Sequence, residues 1–390
     1  MYTINLRGDQ AGALFSRFVL FAVVAALFGV LFTACDELEY RPSAVGPDDE
    51  IAVVISGDHW EGEVGDVVRE ELGTFVYTLP VPERMFDLRH MEIHTEDDLD
   101  QIRRRKNVVF VAPITDTTNE AQMIQSSLSP DARQAIEEGN SVVAPRRDLW
   151  RRNQQIYFVT ADNTDRLQEA MRSNGHAMRD TLGTLVRDRK HRNMFERGRQ
   201  TNLEQELMDR HDFAVNVQHD YLIAQDTTFD DSGFIWLRRI LQDTWRSLFV
   251  YYEEDADPAT ITPEWITETR DSVAQAHIEG NIGGFPRTDY RRELEAVEED
   301  FKGRYGFTTR GLWHMVDVLD DGSLDHYGGG GPYVNYTFYD EDSGRIYMLD
   351  GMVFAPQFDK LDFLRQMEVI SHTFRTRHDA QPGDPALADD

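Results

Sequence analysis

Residues suited to acid–base chemistry occur together in one short segment. Asp58, His59 and Glu61 follow the apolar run 51–55, which is typical of a buried strand, and they precede a helical pattern. Because ligands of α/β domains bind at the carboxyl ends of strands, a histidine beside carboxylates at this place is suited to proton transfer. The structural alternative is a turn in which Asp58 caps the helix and Trp60 covers it. We favour that alternative, and the three polar residues remain acid–base candidates if the protein is an enzyme.

Three other patterns associated with catalysis or metal binding are incomplete. His90 and His94 are four residues apart, but their segment is predicted to be a strand and no third ligand is spaced to join them. The glycine run 328–331 lacks the Lys-Ser/Thr of a phosphate-binding loop, so we predict a flexible hairpin connection there. The G-x-S-x-G elbow of serine hydrolases does not occur. The sequence therefore assigns no catalytic residue, no metal site and no cofactor.

Tryptophan and arginine residues form a second group of candidates, for binding rather than catalysis. Trp236 and Arg238 lie in one predicted strand of the C-terminal half, and Arg310 and Trp313 lie in another. Trp and Arg dominate the energetically important positions of binding interfaces. Together with Trp60, these four are the candidate binding residues. The structural alternative is that the guanidinium groups stack on indole rings within the fold.

The single cysteine of the chain follows an apolar run near the N-terminus. Arg7 and Arg17 precede the run 18–32, which has the length of the apolar part of a signal peptide and is short for a transmembrane helix. The small residues before Cys35 resemble the lipobox of bacterial lipoproteins, although Phe32 replaces the usual Leu. The resemblance implies cleavage before Cys35, a diacylglycerol on its sulfur, further acyl chains such as palmitate, and a stable membrane anchor. The alternatives are a buried structural cysteine or an uncleaved anchor.

The charge of the chain is strongly negative. The 70 acidic and 40 basic residues give a formal net charge of −30, and the bases include only four lysines. This composition resembles that of proteins from salt-loving bacteria, in which high salt screens the repulsion between acidic groups. It argues against sequence-independent nucleic-acid binding, which requires a basic surface. A basic run at 187–199 is suited to anionic lipid or an acidic partner, unless it pairs with the protein's own acids.

Hydrophobic periodicity and turn residues predict the elements that must position these side chains. Strands alternate with helices in the N-terminal part, whereas the order βββ-α-βββ-α in the C-terminal part indicates a mainly antiparallel sheet with flanking helices. We predict an α+β protein with two α/β-type domains joined by a long helix, the second resembling PsbP and Mog1 proteins by element order. The predicted segments are a signal peptide (1–34), the lipidated cysteine and acidic linker (35–50), an N-terminal domain (51–161), a connecting helix (162–212), a C-terminal domain (213–376) and a disordered acidic tail (377–390).

Six short segments carry a resemblance to one protein family. They are GDHWEGEVGD (57–66), MFDLRH (85–90), FIWLRR (234–239), TRGLW (309–313), GGPYV (330–334) and GMVFAP (351–356). Together they resemble a domain-of-unknown-function family of lipoproteins from Bacteroidetes-type bacteria, over about residues 51–374. The resemblance implies no activity, cofactor or catalytic residue, and it agrees with the lipoprotein interpretation.

The resulting expectation is a lipid-anchored protein of the cell envelope, on the periplasmic side or at the outer-membrane surface. We expect a non-enzymatic module that binds or scaffolds an envelope protein or glycan. One alternative is an envelope hydrolase acting on glycan or peptide, which two buried carboxylates in one cleft would favour. Another is a binder of a small ligand between the two domains. A flat Arg/Trp surface without a cleft would favour the scaffold.

Overall fold

The computed structural model describes residues 41–196, 198–280, 283–381 and 384–387. The predicted signal peptide and the predicted lipidation at Cys35 lie outside these residues. Within the described ranges, no helix combines the length and apolar character that crossing a membrane requires.

The N-terminal part contains a mostly parallel sheet with the strand order β4–β1–β5–β7–β6. Neighbouring strands pair in parallel from β4 to β7, and β6 is antiparallel to β7. The strands are β1 (Glu50–Val54), β4 (Asp87–Met91), β5 (Asn107–Val111), β6 (Val142–Arg147) and β7 (Gln155–Thr160), and a short hairpin of β2 (Phe75–Val76) and β3 (Glu83–Arg84) lies outside the sheet. The continuous apolar runs in β1, β5 and β7 reflect burial on both faces of the sheet.

Helices cover both faces of this sheet because its side chains alternate between two apolar cores. Val53 faces one core with α2 and α6, whereas Ala52 and Val54 face a second core with α3, α4 and α5. The helices are α1 (Gly57–Trp60), α2 (Glu63–Leu72), α3 (Glu96–Arg103), α4 (Asn119–Ser127), α5 (Pro130–Glu137) and α6 (Thr164–Phe195). The prediction of a strand–helix alternation in this part is therefore confirmed.

Helix α6 is a layer of the N-terminal part rather than a free connector. Leu167, Met171, Met178 and Leu182 are buried in the same core as β1. The helix continues without a break past Gly183, where an added side chain would meet no atom within 4 Å. The spacing of apolar residues by threes and fours predicted the helix, but a spacing cannot show which sheet the apolar face meets.

The C-terminal part contains an antiparallel sheet with the strand order β12–β14–β15–β16–β11–β10–β9, and β13 pairs with β14. Its strands are β9 (Leu222–Thr228), β10 (Ser232–Ile240), β11 (Trp245–Glu253), β12 (Phe285–Thr288), β13 (Glu295–Phe301), β14 (Arg304–Val318), β15 (Leu324–Asp340) and β16 (Arg345–Phe354). Helices α7 (Thr201–His211) and α9 (Leu361–His372) cover one face, and α8 (Pro263–His277) covers the other. The α+β class with a large antiparallel sheet is confirmed.

One local prediction in this part is wrong. The glycine run 328–331 lies inside β15 instead of forming a flexible connection, because Gly330 and Gly331 pair with β14. Strand β9 begins only at Leu222, and Phe213 and Ala214 form the separate strand β8 (Phe213–Ala214) with β17 (Arg375–Thr376). In the tail, Ala386 is buried against α7 in a short 3₁₀ turn.

Polar contacts join the two parts of the chain. The Glu83 carboxylate accepts hydrogen bonds from the backbone N–H groups of Lys360 and Leu361, at 2.7 and 2.9 Å, at the start of α9. Arg365 Nη1 of the same helix donates to Asp49 Oδ2 at 2.7 Å. Because the first N–H groups of a helix have no partner within it, Glu83 supplies a cap from the other part of the chain.

The basic run 187–199 contributes further internal contacts. Arg189 is buried and its Nη1 donates to Asn107 Oδ1 at 2.8 Å. Lys190 forms an ion pair with Asp362. Lys190 therefore pairs with one of the protein's own acids, as the structural interpretation of the run expected, whereas Arg189 is buried and bonds to an amide oxygen.

Candidate functional site

A pocket at one end of the antiparallel sheet brings together three of the five candidate binding residues. Trp236, Arg238 and Trp313 all line it, and its volume is about 260 Å³. We call it the tryptophan pocket. The other lining residues are Trp245, Ile278, Glu279, Gly280, Pro286, Met315, Gly328, Gly329, Met352 and Phe354. The Arg/Trp group thus forms a concave site and not the flat surface that would favour a scaffold.

Strand register explains why these side chains meet. Trp236 and Arg238 are two residues apart in β10 and therefore point to the same face. Trp245 at the start of β11 pairs with Phe354 at the end of β16. Both rings therefore lie on that face, at the same end of the strands. Helix α8 covers this face only as far as His277, where it ends. The remaining end of the face is open, and it forms the pocket.

Aromatic rings form most of the pocket wall. The ring centres of Trp245 and Trp313 are 5.1 Å apart, and those of Trp245 and Phe354 are 5.4 Å apart. The Arg238 guanidinium carbon lies 4.4 Å from the centre of the Trp236 ring. These distances are within the range of favourable aromatic and cation–π contacts. The wall is therefore rigid and largely apolar.

Three nitrogen atoms in this wall are buried without a hydrogen-bond partner in the described part of the chain. They are Trp236 Nε1, Trp313 Nε1 and Arg238 Nε. Trp236 is 6% exposed and Trp313 is 1% exposed. A buried donor without an acceptor costs about 1–3 kcal/mol, and native structures contain few of them. The pocket thus concentrates donors that the protein itself does not satisfy.

Arg238 is also unusual in its electrostatic surroundings. Burial lowers the pKa of its guanidinium group, and no carboxylate lies near enough to raise it again. Glu279 lines the same pocket but is exposed. Because an arginine remains protonated even when its pKa falls by a few units, Arg238 presents a positive charge to the pocket.

Close backbone contacts explain the glycines beside the pocket. Gly331 pairs with Trp313 across β14 and β15. A Cβ atom at residue 331 would lie 1.9 Å from the Val353 carbonyl oxygen, and one at residue 330 would lie 2.6 Å from the Trp313 carbonyl oxygen. Only glycine fits at these two positions. The glycine run is thus a site where neighbouring backbones approach closely under an indole ring.

Arg310 lies outside the tryptophan pocket. It is three residues before Trp313 in β14, so it points to the opposite face, where its Nη2 donates to Glu368 Oε1 at 3.2 Å. Burial acts to lower the pKa of Arg310, but Glu368, Tyr336 and Glu295 together outweigh it and raise that pKa above its ordinary value. Arg310 lines a cleft of about 610 Å³ between the two parts of the chain. Its charge is already neutralised there.

The acid–base candidates lie at the carboxyl end of the parallel sheet. His59 Nε2 is 2.6 Å from Asp116 Oδ2, which follows β5. The strand order reverses between β1 and β5. Open α/β sheets bind their ligands at the carboxyl ends of the strands that flank such a reversal. Asp58 and Glu61 are exposed. The structure therefore pairs His59 with a carboxylate that the sequence analysis did not select.

Trp60 belongs to a separate stacked group in the N-terminal part. Its ring lies 4.9 Å from that of His90 with an angle of 6° between their planes, and Arg69 lies 4.5 Å from the Trp60 ring centre on a cation–π contact. The His90 ring nitrogen Nε2 is 2.9 Å from the Ile55 carbonyl oxygen. In the described part of the chain, no group of three or more His, Cys, Asp or Glu residues is placed to hold a metal ion.

Trp245, Phe354 and Asp116 are the site residues that the sequence analysis missed. Trp245 is the first residue of β11, and Phe354 is the last residue of β16. The antiparallel register of β11 and β16, which are far apart in the chain, places the two rings opposite each other. No sequence signal identifies Asp116, because its contact with His59 depends on the order of the strands.

Two protein families match this chain. Residues 44–195 match a domain of unknown function (DUF8532), and residues 200–373 match another domain of unknown function (DUF4837). The boundary between them coincides with the end of α6 at Phe195 and the start of α7 at Thr201. The sequence resemblance suggested one family over residues 51–374, whereas two are found.

The similar solved structures resemble this chain only weakly. The crystal structure of the Saccharomyces cerevisiae Ran-binding protein Mog1p is similar at 12% identity over 42% of this chain and 90% of that chain, with a TM-score of 0.25. A point mutant of Mog1 is similar at 11% identity, with the same coverage and TM-score. Similarity at this TM-score carries no argument about this protein, and no curated protein matches the sequence. Two families of domains of unknown function therefore cover the chain, one over the parallel sheet with α6 and one over the antiparallel sheet.

Proposed function

We propose that this protein is a non-enzymatic binding module that holds a small ligand in the tryptophan pocket. The observation that carries the proposal is that three residues lining one pocket carry buried donors, Trp236 Nε1, Trp313 Nε1 and Arg238 Nε, which have no acceptor among the described residues. A ligand with an acceptor group would remove the free-energy cost of leaving them unpaired. An apolar pocket with a few convergent polar groups is the common form of a small-molecule site.

The cleft between the two parts of the chain is the second place for a small ligand. It is larger, at about 610 Å³. Some of its charged groups are already paired, as in Arg310 with Glu368 and Arg179 with Glu71. A ligand that binds those groups would have to replace existing ion pairs, whereas the Arg238 guanidinium in the tryptophan pocket has no carboxylate partner among the described residues. We therefore place the ligand in the tryptophan pocket.

We also propose that the module is held at a membrane of the cell envelope through lipid on Cys35. The support is the apolar run 18–32 with small residues before the only cysteine. Replacing Cys35 with Ala should abolish incorporation of labelled palmitate and release the protein from the membrane fraction. If the Cys35→Ala protein stays in the membrane fraction and the wild type takes up no palmitate, the anchor is not a lipid.

An envelope hydrolase remains the alternative, favoured by one contact. His59 Nε2 and Asp116 Oδ2 are 2.6 Å apart at the reversal point of the parallel sheet. An Asp that orients a His is a recurring arrangement in general-base catalysis. Hydrolysis of envelope glycans or peptides that is lost in both His59→Ala and Asp116→Asn, and retained in Trp245→Ala, would establish the hydrolase and overturn the proposal of a non-enzymatic module.

The binding proposal is tested on the full-length protein in detergent by isothermal titration calorimetry. The first probes are indole and 3-phenylpropionamide, which are uncharged and small enough for the pocket. Gly328→Phe is the blocking variant, since Gly328 lines the pocket and a side chain there would meet no atom within 4 Å. Trp60→Phe is the control, because Trp60 lies in the N-terminal part.

We expect at least one probe to bind the wild type and the Trp60→Phe protein, and Gly328→Phe to lose that binding. Native mass spectrometry of the purified protein supplies a second readout, since a retained ligand adds mass that Gly328→Phe lacks. If neither probe binds and no copurified small molecule depends on Gly328, the tryptophan pocket is not a ligand site and the proposal fails.

A further inference from the structure

We propose, resting on the proposed function above, that the ligand of the tryptophan pocket is a small carboxylate attached to an apolar ring. The inference concerns the chemistry of the ligand, and it follows from charge, donor placement and size.

The charge argument starts from Arg238. Acidic residues outnumber basic residues by 70 to 40 in this chain, so most arginines have a carboxylate within reach. Its neighbour Arg239 points to the other face of β10 and pairs with Asp220. Arg238 has no such partner, although it is half-buried and its Nε is shielded from solvent. A charge in partly apolar surroundings gains free energy from a counter-ion, and an anionic ligand would pair with it.

The donor argument selects the anionic group. Arg238 supplies a planar guanidinium fork, and the two tryptophans that line the same pocket, Trp236 and Trp313, each carry one indole N–H group without an acceptor among the described residues. A carboxylate has two oxygens with about four acceptor positions, which matches a guanidinium in planar geometry. A phosphate carries up to two negative charges and more oxygens to satisfy. Among the described residues that line the pocket, Arg238 is the one cation and the exposed Glu279 is the one anion, so a monovalent carboxylate fits the charge better than a divalent phosphate.

The size argument selects the rest of the molecule. The pocket measures about 260 Å³, and a cavity of about 150 Å³ in a protein core accommodates benzene. There is room for one ring and a short carboxylate arm. Trp245 and Phe354, both partly exposed, form the wall on which a ring would pack. An extended polymer chain would not be enclosed by a pocket of this volume.

The experiment compares two probes that differ only in charge. Titration calorimetry of the full-length protein in detergent measures the affinity of 3-phenylpropionate against that of 3-phenylpropionamide at constant ionic strength. Arg238→Met removes the charge and keeps an unbranched side chain over Trp236. Arg239→Met is the matched control, because it removes the neighbouring charge from the opposite face. Arg238→Lys keeps the charge without the planar fork.

We expect the carboxylate to bind the wild type and Arg239→Met about 10-fold or more tightly than the amide, which corresponds to about 1.4 kcal/mol. In Arg238→Met the two probes should bind equally, and Arg238→Lys should retain part of the preference. Thermal melts of each variant show whether it is folded. Equal binding of both probes to the wild type overturns the carboxylate inference and leaves the proposed function standing. Binding of neither probe, with no copurified ligand, overturns both.

Discussion

Arg270 Nε donates a 2.8 Å hydrogen bond to Asp350 Oδ2, and neither side chain has any exposed surface. The pair links β16 to α8, which is the helix that borders the tryptophan pocket. Asn335 Nδ2 donates to the same Asp350 oxygen at 3.0 Å, and the Tyr333 ring lies 3.9 Å from the Arg270 guanidinium carbon. The network satisfies both buried charges and fixes the position of α8 on the sheet.

Removing one partner of this pair should therefore be strongly destabilising. We expect Asp350→Asn to lower the free energy of unfolding by about 3–5 kcal/mol, because the buried Arg270 charge loses its nearest counter-ion and keeps only Asp271, whose Oδ1 is 3.5 Å from Arg270 Nη1. The double replacement Arg270→Met/Asp350→Leu should recover most of the loss, since it leaves no unpaired charge. Urea denaturation followed by circular dichroism measures both changes. A double variant as unstable as Asp350→Asn would contradict this account.

Two glycine replacements should have opposite effects. Gly331→Ala places a Cβ atom 1.9 Å from the Val353 carbonyl oxygen, so we expect it to lower the free energy of unfolding by about 1–3 kcal/mol or more. Gly183→Ala in α6 meets no atom within 4 Å, and it should raise that free energy by up to about 1 kcal/mol through helix propensity. Thermal denaturation of the two proteins side by side is the measurement. We expect Gly183→Ala to melt at a higher temperature than Gly331→Ala, and the reverse order would contradict this prediction.

The cap that Glu83 provides for α9 should be measurable. Glu83→Ala removes the acceptor for the Lys360 and Leu361 N–H groups, so we expect a loss of about 0.5–2 kcal/mol in the free energy of unfolding. Amide hydrogen exchange at the start of α9 should rise in the same variant. Glu83→Gln keeps an acceptor and should lose less. Unchanged exchange at residues 360 and 361 in Glu83→Ala would show that the cap is not formed in solution.

The stability of the protein should fall in mild acid through His372. Burial, reinforced by the charge of Arg187, lowers the pKa of His372 from 6.5 to about 4. Between about pH 6.5 and about pH 4, the unfolded chain binds a proton at His372 that the folded chain does not bind. The stability from neutral His372 is therefore complete above about pH 6.5 and is lost as the pH falls toward about 4.

The variant His372→Gln should show a smaller decrease in unfolding free energy between pH 7 and pH 4.5 than the wild type, by up to about 3 kcal/mol. The control is His176→Gln, which removes a histidine that is 80% exposed and lies 2.8 Å from Asp180. It should follow the wild-type curve. Equal pH dependence in all three proteins would show that His372 is not protected from protonation.

Arg238 should contribute little to stability if it serves a ligand. We expect Arg238→Met to leave the free energy of unfolding unchanged, or to raise it by up to about 1 kcal/mol, because a half-buried cation without a partner is replaced by an apolar chain. Arg239→Met should instead lower it by about 0.2–1 kcal/mol through loss of the Asp220 pair. Chemical denaturation without ligand separates these outcomes. A loss of more than about 2 kcal/mol in Arg238→Met would assign the side chain a structural role.

Local sequence patterns determined most of the elements. The apolar runs of β1, β5 and β7 are long enough to be recognised because both sheet faces are buried. Thr262 and Pro263 mark the start of α8, where the Thr262 side chain accepts a hydrogen bond from the Trp265 N–H group. The turn at residues 342–344 likewise separates β15 from β16. These features depend on residues that are close together in the chain, so they can be recognised from the sequence alone.

The tertiary structure alone decided the sites. Trp313 stands far from Trp236 and Trp245 in the sequence, and only the antiparallel pairing of β11, β16, β15 and β14 places the three rings at one end of the sheet. The same holds for His59 and Asp116, which meet because the strand order reverses between β1 and β5. The sequence showed which residue types were present. Which of them would share a pocket, and which of them would lack a partner, depended on long-range pairing that no local pattern encodes.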